Sequence, residues 1–451
     1  MNDSDALIKR ATELEMGDKP DEAMEVLNRV LLAEPDNHKA IFVAGLVLQK
    51  ADRHVQAIQL FKRVTELKPH DHRAYGQLAL LLGETHKYDE SVRYAERALQ
   101  IRREVKTVAD ASFAHTNAGN WETAEKLAQE ALKMDPECLD ARVQMANILL
   151  AKQDWERGFA AWRVTLRTKY RKEWRYGDTE EWQGEPGAVV MTTGEQGLGD
   201  EIMAASVVPD AIRGCRRFIL DCDQRLMALF RRSFPDAIVV GSRWRDTVTL
   251  PVAPTHHKSM FGLSELFRKR DGDFPRQPYL IANERYRAMF REYFDGQRVI
   301  GLAWSGGFPR TGLEQRTAGL NAFMPLLRKG GAEFVSLQYK DDAEEVRECE
   351  KTHGIKIHRV PWATMSGDMD LIAGLIASLD EVVGVHTTAL HLSSALGVPT
   401  TVLTHRGSGW RYAPEELLWY PPTTRTVKKR PGESWRECAA RAVEGPQRRA
   451  A

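Results

Sequence analysis

In the first third of this 451-residue chain, positions 34 residues apart carry the same kind of side chain. Pro35 and Pro69 form one such pair. Ala23 and Ala57, Leu27 and Phe61, and Val30 and Val64 form others. The register continues through Ser91, Ala95 and Ala98, slips by one residue to Ala124, Ala128, Ala131 and Pro136, and ends in a partial copy with Gly158 and Trp162. Small residues recur where two helices must touch, larger ones surround them, and a proline closes the unit. A helical hairpin of this length cannot bury its apolar face alone, so neighbouring copies must stack. The spacing predicts a curved solenoid with a concave face. Such a face docks a protein or peptide; a spacer, or self-association into a homo-oligomer, is the alternative use.

The period and pattern resemble tetratricopeptide repeats. Asp21-Glu22-Ala23 and Tyr88-Asp89-Glu90-Ser91 stand where that family starts its second helix. The resemblance covers about residues 4–165, and we take 1–165 as one domain. Aromatic and basic residues then interleave: Trp155, Trp162, Arg163, Arg167, Lys169, Arg171, Lys172, Trp174, Arg175 and Trp182. Such a run can bind single-stranded nucleic acid. With a formal net charge of only +1, packing onto the following domain is the expected role, and no nucleic-acid partner is expected.

Apolar content of 43% and charged content of 28% are ordinary for a globular chain. Five scattered cysteines, with Cys215 and Cys222 the closest pair, suggest a reducing compartment. The start, Met1-Asn2-Asp3-Ser4-Asp5, lacks a basic segment leading into an apolar one. Apolar runs fall short of the roughly 20 residues that span a bilayer. The expectation is a cytoplasmic protein without a transmembrane segment.

From residue 188 onward, short apolar runs alternate with helix-like stretches. Candidate strands are 188–192, 217–221, 237–240 and 247–250, then, after a helical stretch at 283–295, 298–303, 333–337, 356–359, 381–385 and 400–403. This alternation implies parallel sheets. Two sets suggest paired Rossmann-like domains, 166–295 and 296–451, the second closing on a terminal helix at 433–443. The predicted fold class is therefore α + α/β, an all-α solenoid followed by two Rossmann-like α/β domains. Ligands of open parallel sheets bind beyond the carboxyl ends of the strands, which here is the cleft between the halves.

Three motifs fall there. Gly194-Glu195-Gln196-Gly197-Leu198-Gly199-Asp200 follows the first strand. Its glycines, with Gly197, Leu198 and Gly199 at the centre, let backbone approach a ligand. Asp200 is either a general base or a helix cap. Gly301-Leu302-Ala303-Trp304-Ser305-Gly306-Gly307 ends the first strand of the second half, and Arg310 and Arg316 follow in a loop suited to phosphate. In the third, a strand ends at Val385, and His386-Thr387-Thr388 lead into a helix that stops before Gly397. Thr387 and Thr388 put hydroxyls where free N–H groups and the dipole attract anions. His391 lies four residues after Thr387, on the same side of that helix.

Taken in order, Glu-Gln-Gly-Leu-Gly-Asp at 195–200, Gly-Leu-Ala-Trp-Ser-Gly at 301–306, Ser-Leu-Gln at 336–338 and Thr-Thr-Ala-Leu-His-Leu-Ser-Ser-Ala-Leu-Gly at 387–397 resemble the heptosyltransferase-related glycosyltransferases of GT-B fold that carry tetratricopeptide repeats. Trp182 and Trp410-Arg411-Tyr412 extend the likeness over nearly the whole chain. The resemblance implies transfer of a sugar, with inversion, from a nucleotide-diphosphate sugar to a hydroxyl of a glycan or protein acceptor. No cofactor or metal is expected for it. It implies Asp200 as the base, and Trp304, Ser305, Gly306, Arg316, Gln338, His386, Thr387, Thr388 and His391 as donor-binding positions. His386 stands where the family usually has aspartate, and the loop 308–317 also departs from its pattern. The reaction class therefore carries over and the sugar does not. A non-catalytic adaptor on a degenerate scaffold and a sugar-nucleotide epimerase are the competing readings.

Overall fold

The computed structural model describes residues 3–168, 171, 176–242, 249–307, 313, 315–407, 409–430 and 432–444. Lys169, Lys172, Trp174, Arg175, Arg310 and the first two residues of the expected strand 247–250 lie outside the described residues. The chain divides into two compact units, Met1–Ile148 and Leu149–Ala451.

The first unit is helical throughout. Its helices are α1 (Asp3–Met16), α2 (Pro20–Ala33), α3 (His38–Lys50), α4 (His54–Leu67), α5 (His72–Glu84), α6 (Tyr88–Ile101), α7 (Val105–Asn117) and α8 (Trp121–Met134); α9 (Leu139–Ala151) runs across the boundary. The small repeat positions Ala23, Ala57, Ser91 and Ala124 are fully buried, as the pattern requires. Ser91 satisfies its hydroxyl by donating to Ala79 O at 2.6 Å. Where the pattern places Gly45, an added Cβ would stand 2.7 Å from the Phe61 ring. Each hairpin turns through one left-handed residue, Asp18, Asp52, His86 or Gly119. The next backbone N–H then reaches back to the preceding helix, as Lys87 N does to Leu82 O at 2.7 Å. The residues before α2, α4, α6 and α8 follow the same spacing, including the one-residue slip before Trp121.

The second unit is α/β. One sheet holds β1 (Glu180–Glu181), β2 (Val189–Thr193), β3 (Arg217–Asp221), β4 (Ala237–Val240) and β5 (His256–Ser259), in the order β1-β5-β2-β3-β4. The other holds β6 (Val299–Ala303), β7 (Glu333–Ser336), β8 (Glu381–Val385), β9 (Thr400–Thr404) and β10 (Thr424–Lys428), in the order β10-β9-β8-β6-β7. Every pairing in both sheets is parallel. β2, β6 and β9 are buried at every position, as expected of central strands in parallel sheets covered on both faces.

Sequence and structure part at two strands. β5 reads His-His-Lys-Ser and carries no apolar signal. It forms because it lies between β1 and β2, with Lys258 buried and paired to Glu181 and Glu265 at 2.9 and 3.1 Å. The expected strand 356–359 shrinks to a single bridge between His358 and Val335. The basic run 425–430 reads as an exposed strand edge or loop, and its first four residues lie in β10, the edge strand beside β9.

Helix α10 (Trp155–Trp162) lies in the second unit. Its Trp155 donates an indole N–H to Asp271 at 2.6 Å. Trp155 and Trp162 pack edge-on against Trp419 and Trp410, with ring centroids 5.3 and 5.4 Å apart. The helix Glu284–Tyr293 packs on Met369–Ala377 of the second half, where Arg287 Nε donates to Ala377 O at 3.2 Å. The terminal helix Trp435–Glu444 also stays with that half: Arg425 donates to Ala442 O and Arg441 to Lys428 O. Among the described residues no helix is long and apolar enough to cross a membrane.

Candidate functional site

The glycine-rich turn joins β2 to the short helix Leu198–Ala204. Two glutamates pin it from beneath. Glu195 pairs with Arg171, both almost fully buried, and accepts from Phe261 N at 3.0 Å. Glu201 accepts from Asp223 N at 3.0 Å, and its carboxylate fills the space a Cβ on Gly194 would need. At Gly199 an added Cβ would meet His391 Cδ2 at 2.7 Å, so glycine is what lets the two halves touch here.

Asp200 fills the cap role. Its Oδ2 accepts from Gly197 N at 3.3 Å, capping its own helix. Its Oδ1 forms an ion pair with Arg411 Nε at 3.1 Å, a cation contributed by the second half. Arg411 also donates to Gln196 Oε1 at 2.5 Å.

Facing this turn is the start of the helix Thr388–Ala395, with Thr387 at its N-cap. The Thr387 side chain does not cap its helix, and among the described residues its buried Oγ1 has no hydrogen-bond partner. His386 Nδ1 and Arg316 Nε are in the same condition. Arg316 Nη2 donates to His386 O at 2.6 Å, which ties the arginine to the strand end. Gly306 presses on Thr387, whose Cγ2 would stand 2.3 Å from an added Cβ, and its N–H donates to Arg316 O at 3.1 Å. Ser305 bonds Thr317 through their hydroxyls at 3.2 Å. Thr388 opens the first turn and is half-buried.

Behind this face, His391 bridges two phenols: Nδ1 to Tyr420 Oη at 2.6 Å and Nε2 to Tyr412 Oη at 2.5 Å. Burial drives its pKa down to about 4; Asp200 opposes the fall, while Arg316 and Arg411 add to it. The ring is therefore neutral near pH 7. Burial also holds His386 well below the ordinary histidine range, with Arg316, His405 and His391 acting the same way. Burial pushes the phenols of Tyr412 and Tyr420 up.

The expected residues thus separate. Arg316 bonds the backbone of His386, Gly306 packs on Thr387, Gly199 packs on His391, and Asp200 and Arg316 both act on the His391 ring, so these residues share one neighbourhood. His391 itself has both nitrogens engaged. Trp304 is core: its indole is buried and donates to Glu345 Oε2 at 2.6 Å. Gln338, with its amide N toward Ser305 O and its amide O toward Ser305 N, both at 2.9 Å, braces the backbone of that loop. Sequence reasoning assigned no role to Arg411, Tyr412, Tyr420 or Gln196. Only the Trp410-Arg411-Tyr412 string hinted at the first two, since their partners lie far away in the chain.

Family models described as tetratricopeptide repeat match residues 10–72, 73–105 and 114–167. The N-terminal hairpins are tetratricopeptide repeats. Protein FlbA of Caulobacter vibrioides (strain ATCC 19089 / CIP 103742 / CB 15) is 29% identical over 262 residues, 53% of this chain and 44% of that protein. The chain therefore spans less than half the length of that curated relative. Among solved structures, MamA from Desulfovibrio magneticus RS-1 (residues 41 to its end) is 17% identical, covering 37% of this chain and 94% of its own, with a TM-score of 0.32. TTC0263, a tetratricopeptide-repeat protein of Thermus thermophilus, is 14% identical over 37% of this chain and 91% of its own, at a TM-score of 0.33. YrrB, described as a TPR protein with an unusual peptide-binding site, is 16% identical over 37% of this chain and 87% of its own, at 0.31.

Proposed function

We propose that the second unit is an inverting glycosyltransferase of GT-B type, using a nucleotide-diphosphate sugar, and that the repeats dock its protein acceptor or a protein partner. The observation that supports this reading is the proximity of a carboxylate on the first half, Asp200, to a helix start on the second that can receive an anion: Asp200 pairs with Arg411, Gly199 packs on His391, and Asp200 and Arg316 both act on that ring. Among the described residues, Thr387 Oγ1, Arg316 Nε and His386 Nδ1 are buried polar atoms with no hydrogen-bond partner. Buried polar groups are ordinarily hydrogen-bonded, and a diphosphate would satisfy the two donors among these.

In the reaction, Asp200 takes the proton of the acceptor hydroxyl as that oxygen attacks the anomeric carbon. The bond to the diphosphate breaks from the opposite face, and Arg316 with the helix start stabilises the charge growing on the leaving group. Neutral His386 offers a hydrogen bond to sugar or phosphate rather than the charge of the aspartate it replaces.

Thermal melting of the full chain with ADP, GDP, UDP, CDP and dTDP tests this reading. One of them at about 100 times its Kd should stabilise the chain by about 2.7 kcal/mol. Thr387→Val should weaken that binding. Asp200→Asn should leave nucleotide affinity undiminished and abolish release of nucleotide from the matching nucleotide sugar. Stabilisation by none of the five would end the donor-site reading, and full turnover by Asp200→Asn would end the assignment of the base.

One observation favours a non-catalytic adaptor instead: both carboxylate oxygens of Asp200 are already engaged. The same melting experiment separates the two, because a retired scaffold has no reason to select one nucleotide base.

A further inference from the structure

An anion site that holds a carboxylate has an electrostatic difficulty, since the carboxylate repels the ligand. Here the remedy comes from a residue the proposed chemistry does not use. Arg411 places Nε 3.1 Å from Asp200 Oδ1 and bonds Gln196 on the same turn at 2.5 Å. Its guanidinium carbon lies 4.7 Å from the ring centre of Trp410 and 4.9 Å from that of Phe261. Ring stacking and a fixed amide partner hold the planar fork still, a geometry lysine cannot reproduce. The Arg411 side chain is 17% exposed and that of Asp200 31%, so the acid is the more accessible of the pair. Asp200, Arg316 and Arg411 all act on His391 and Tyr412, so the three charges share one neighbourhood.

We propose that Arg411 is a positioning and charge-balancing residue of the donor site. It fixes the Asp200 carboxylate on the glycine-rich turn and cancels the field that carboxylate would exert on an anion held by Thr387 and Arg316. The inference rests on the donor-site reading above and deepens it. It makes the acid compatible with a diphosphate neighbour without requiring Arg411 to leave its seat.

The test is calorimetric titration of the full chain with ADP, GDP, UDP, CDP and dTDP, with far-UV circular dichroism to confirm folding. Two charges several ångströms apart at a partly solvated site interact strongly enough that Arg411→Gln should weaken binding of the preferred nucleotide about tenfold. Adding Asp200→Asn to that variant should restore affinity to within about threefold of the wild type, because the uncompensated carboxylate is then gone. A purely structural role would not be rescued in this way. Asp200→Asn alone, which keeps the arginine, should bind at least as tightly as the wild type, and this holds the proposal to account even if Arg411→Gln fails to fold. Wild-type affinity in Arg411→Gln, a double variant as weak as the single one, or weaker binding by Asp200→Asn would each overturn the inference while leaving the donor site standing. A wild-type chain that binds none of the five overturns both.

Discussion

His391 shows how a residue can carry a motif without meeting a ligand. Its spacing from Thr387 puts it on the correct side of the helix, but Tyr412 and Tyr420 occupy both ring nitrogens. Neither phenol is near it in the chain, so no local pattern could reveal the bridge. The depressed pKa has a stability consequence. In the unfolded chain the imidazole takes up a proton near pH 6.5, whereas the folded ring resists protonation until about 4. Between those values the unfolded state binds more protons, so stability contributed by neutral His391 is complete above about pH 6.5 and is lost as pH falls toward 4. Melting curves should therefore drop across this window, and the drop should be shallower in His391→Gln. An equal slope in the two proteins would contradict the neutral bridge. Asp200 was half legible for a related reason: its role as a cap follows from position in the turn, but its ion partner follows only from the fold.

At the level of elements, the strands that the sequence announced are those with apolar runs, such as β2 and β8. One that it hid is β5, whose buried Lys258 is paired with Glu181 and Glu265. The loop after β6 depends on contact rather than on propensity. Gly306 has no room for a side chain because of a single methyl group, Thr387 Cγ2. Gly306→Ala should therefore cost about 1–3 kcal/mol, the usual range for overpacking a tight site. Thr387→Ser removes that methyl and should recover most of the loss when combined with Gly306→Ala. Chemical denaturation of the four proteins measures the coupling, and strict additivity would show that the clash lies elsewhere.

For the whole molecule, the repeat period was the most readable feature, because burial at Ala23, Ala57, Ser91 and Ala124 is copied from hairpin to hairpin. The end of the array was less readable. Helix α10 continues the spacing of the repeats, yet its aromatic side chains find their partners in the second unit, around Phe274, Trp410 and Trp419. A fragment starting at 166, where the period ends, would discard this helix. It should melt well below a fragment that retains Trp155–Trp162, and it should lose near-ultraviolet dichroism from the ordered indoles. Equal melting temperatures would mean that α10 contributes nothing to the α/β core.

Trp162 and Trp410 both lie within 6 Å of the Arg411 guanidinium, at 5.8 and 4.7 Å from ring centre to carbon. Indole emission responds to a cation over its face. Any event that perturbs the carboxylate–guanidinium couple should thus alter the intrinsic fluorescence of the protein, giving ligand binding beside it an unlabelled optical signal.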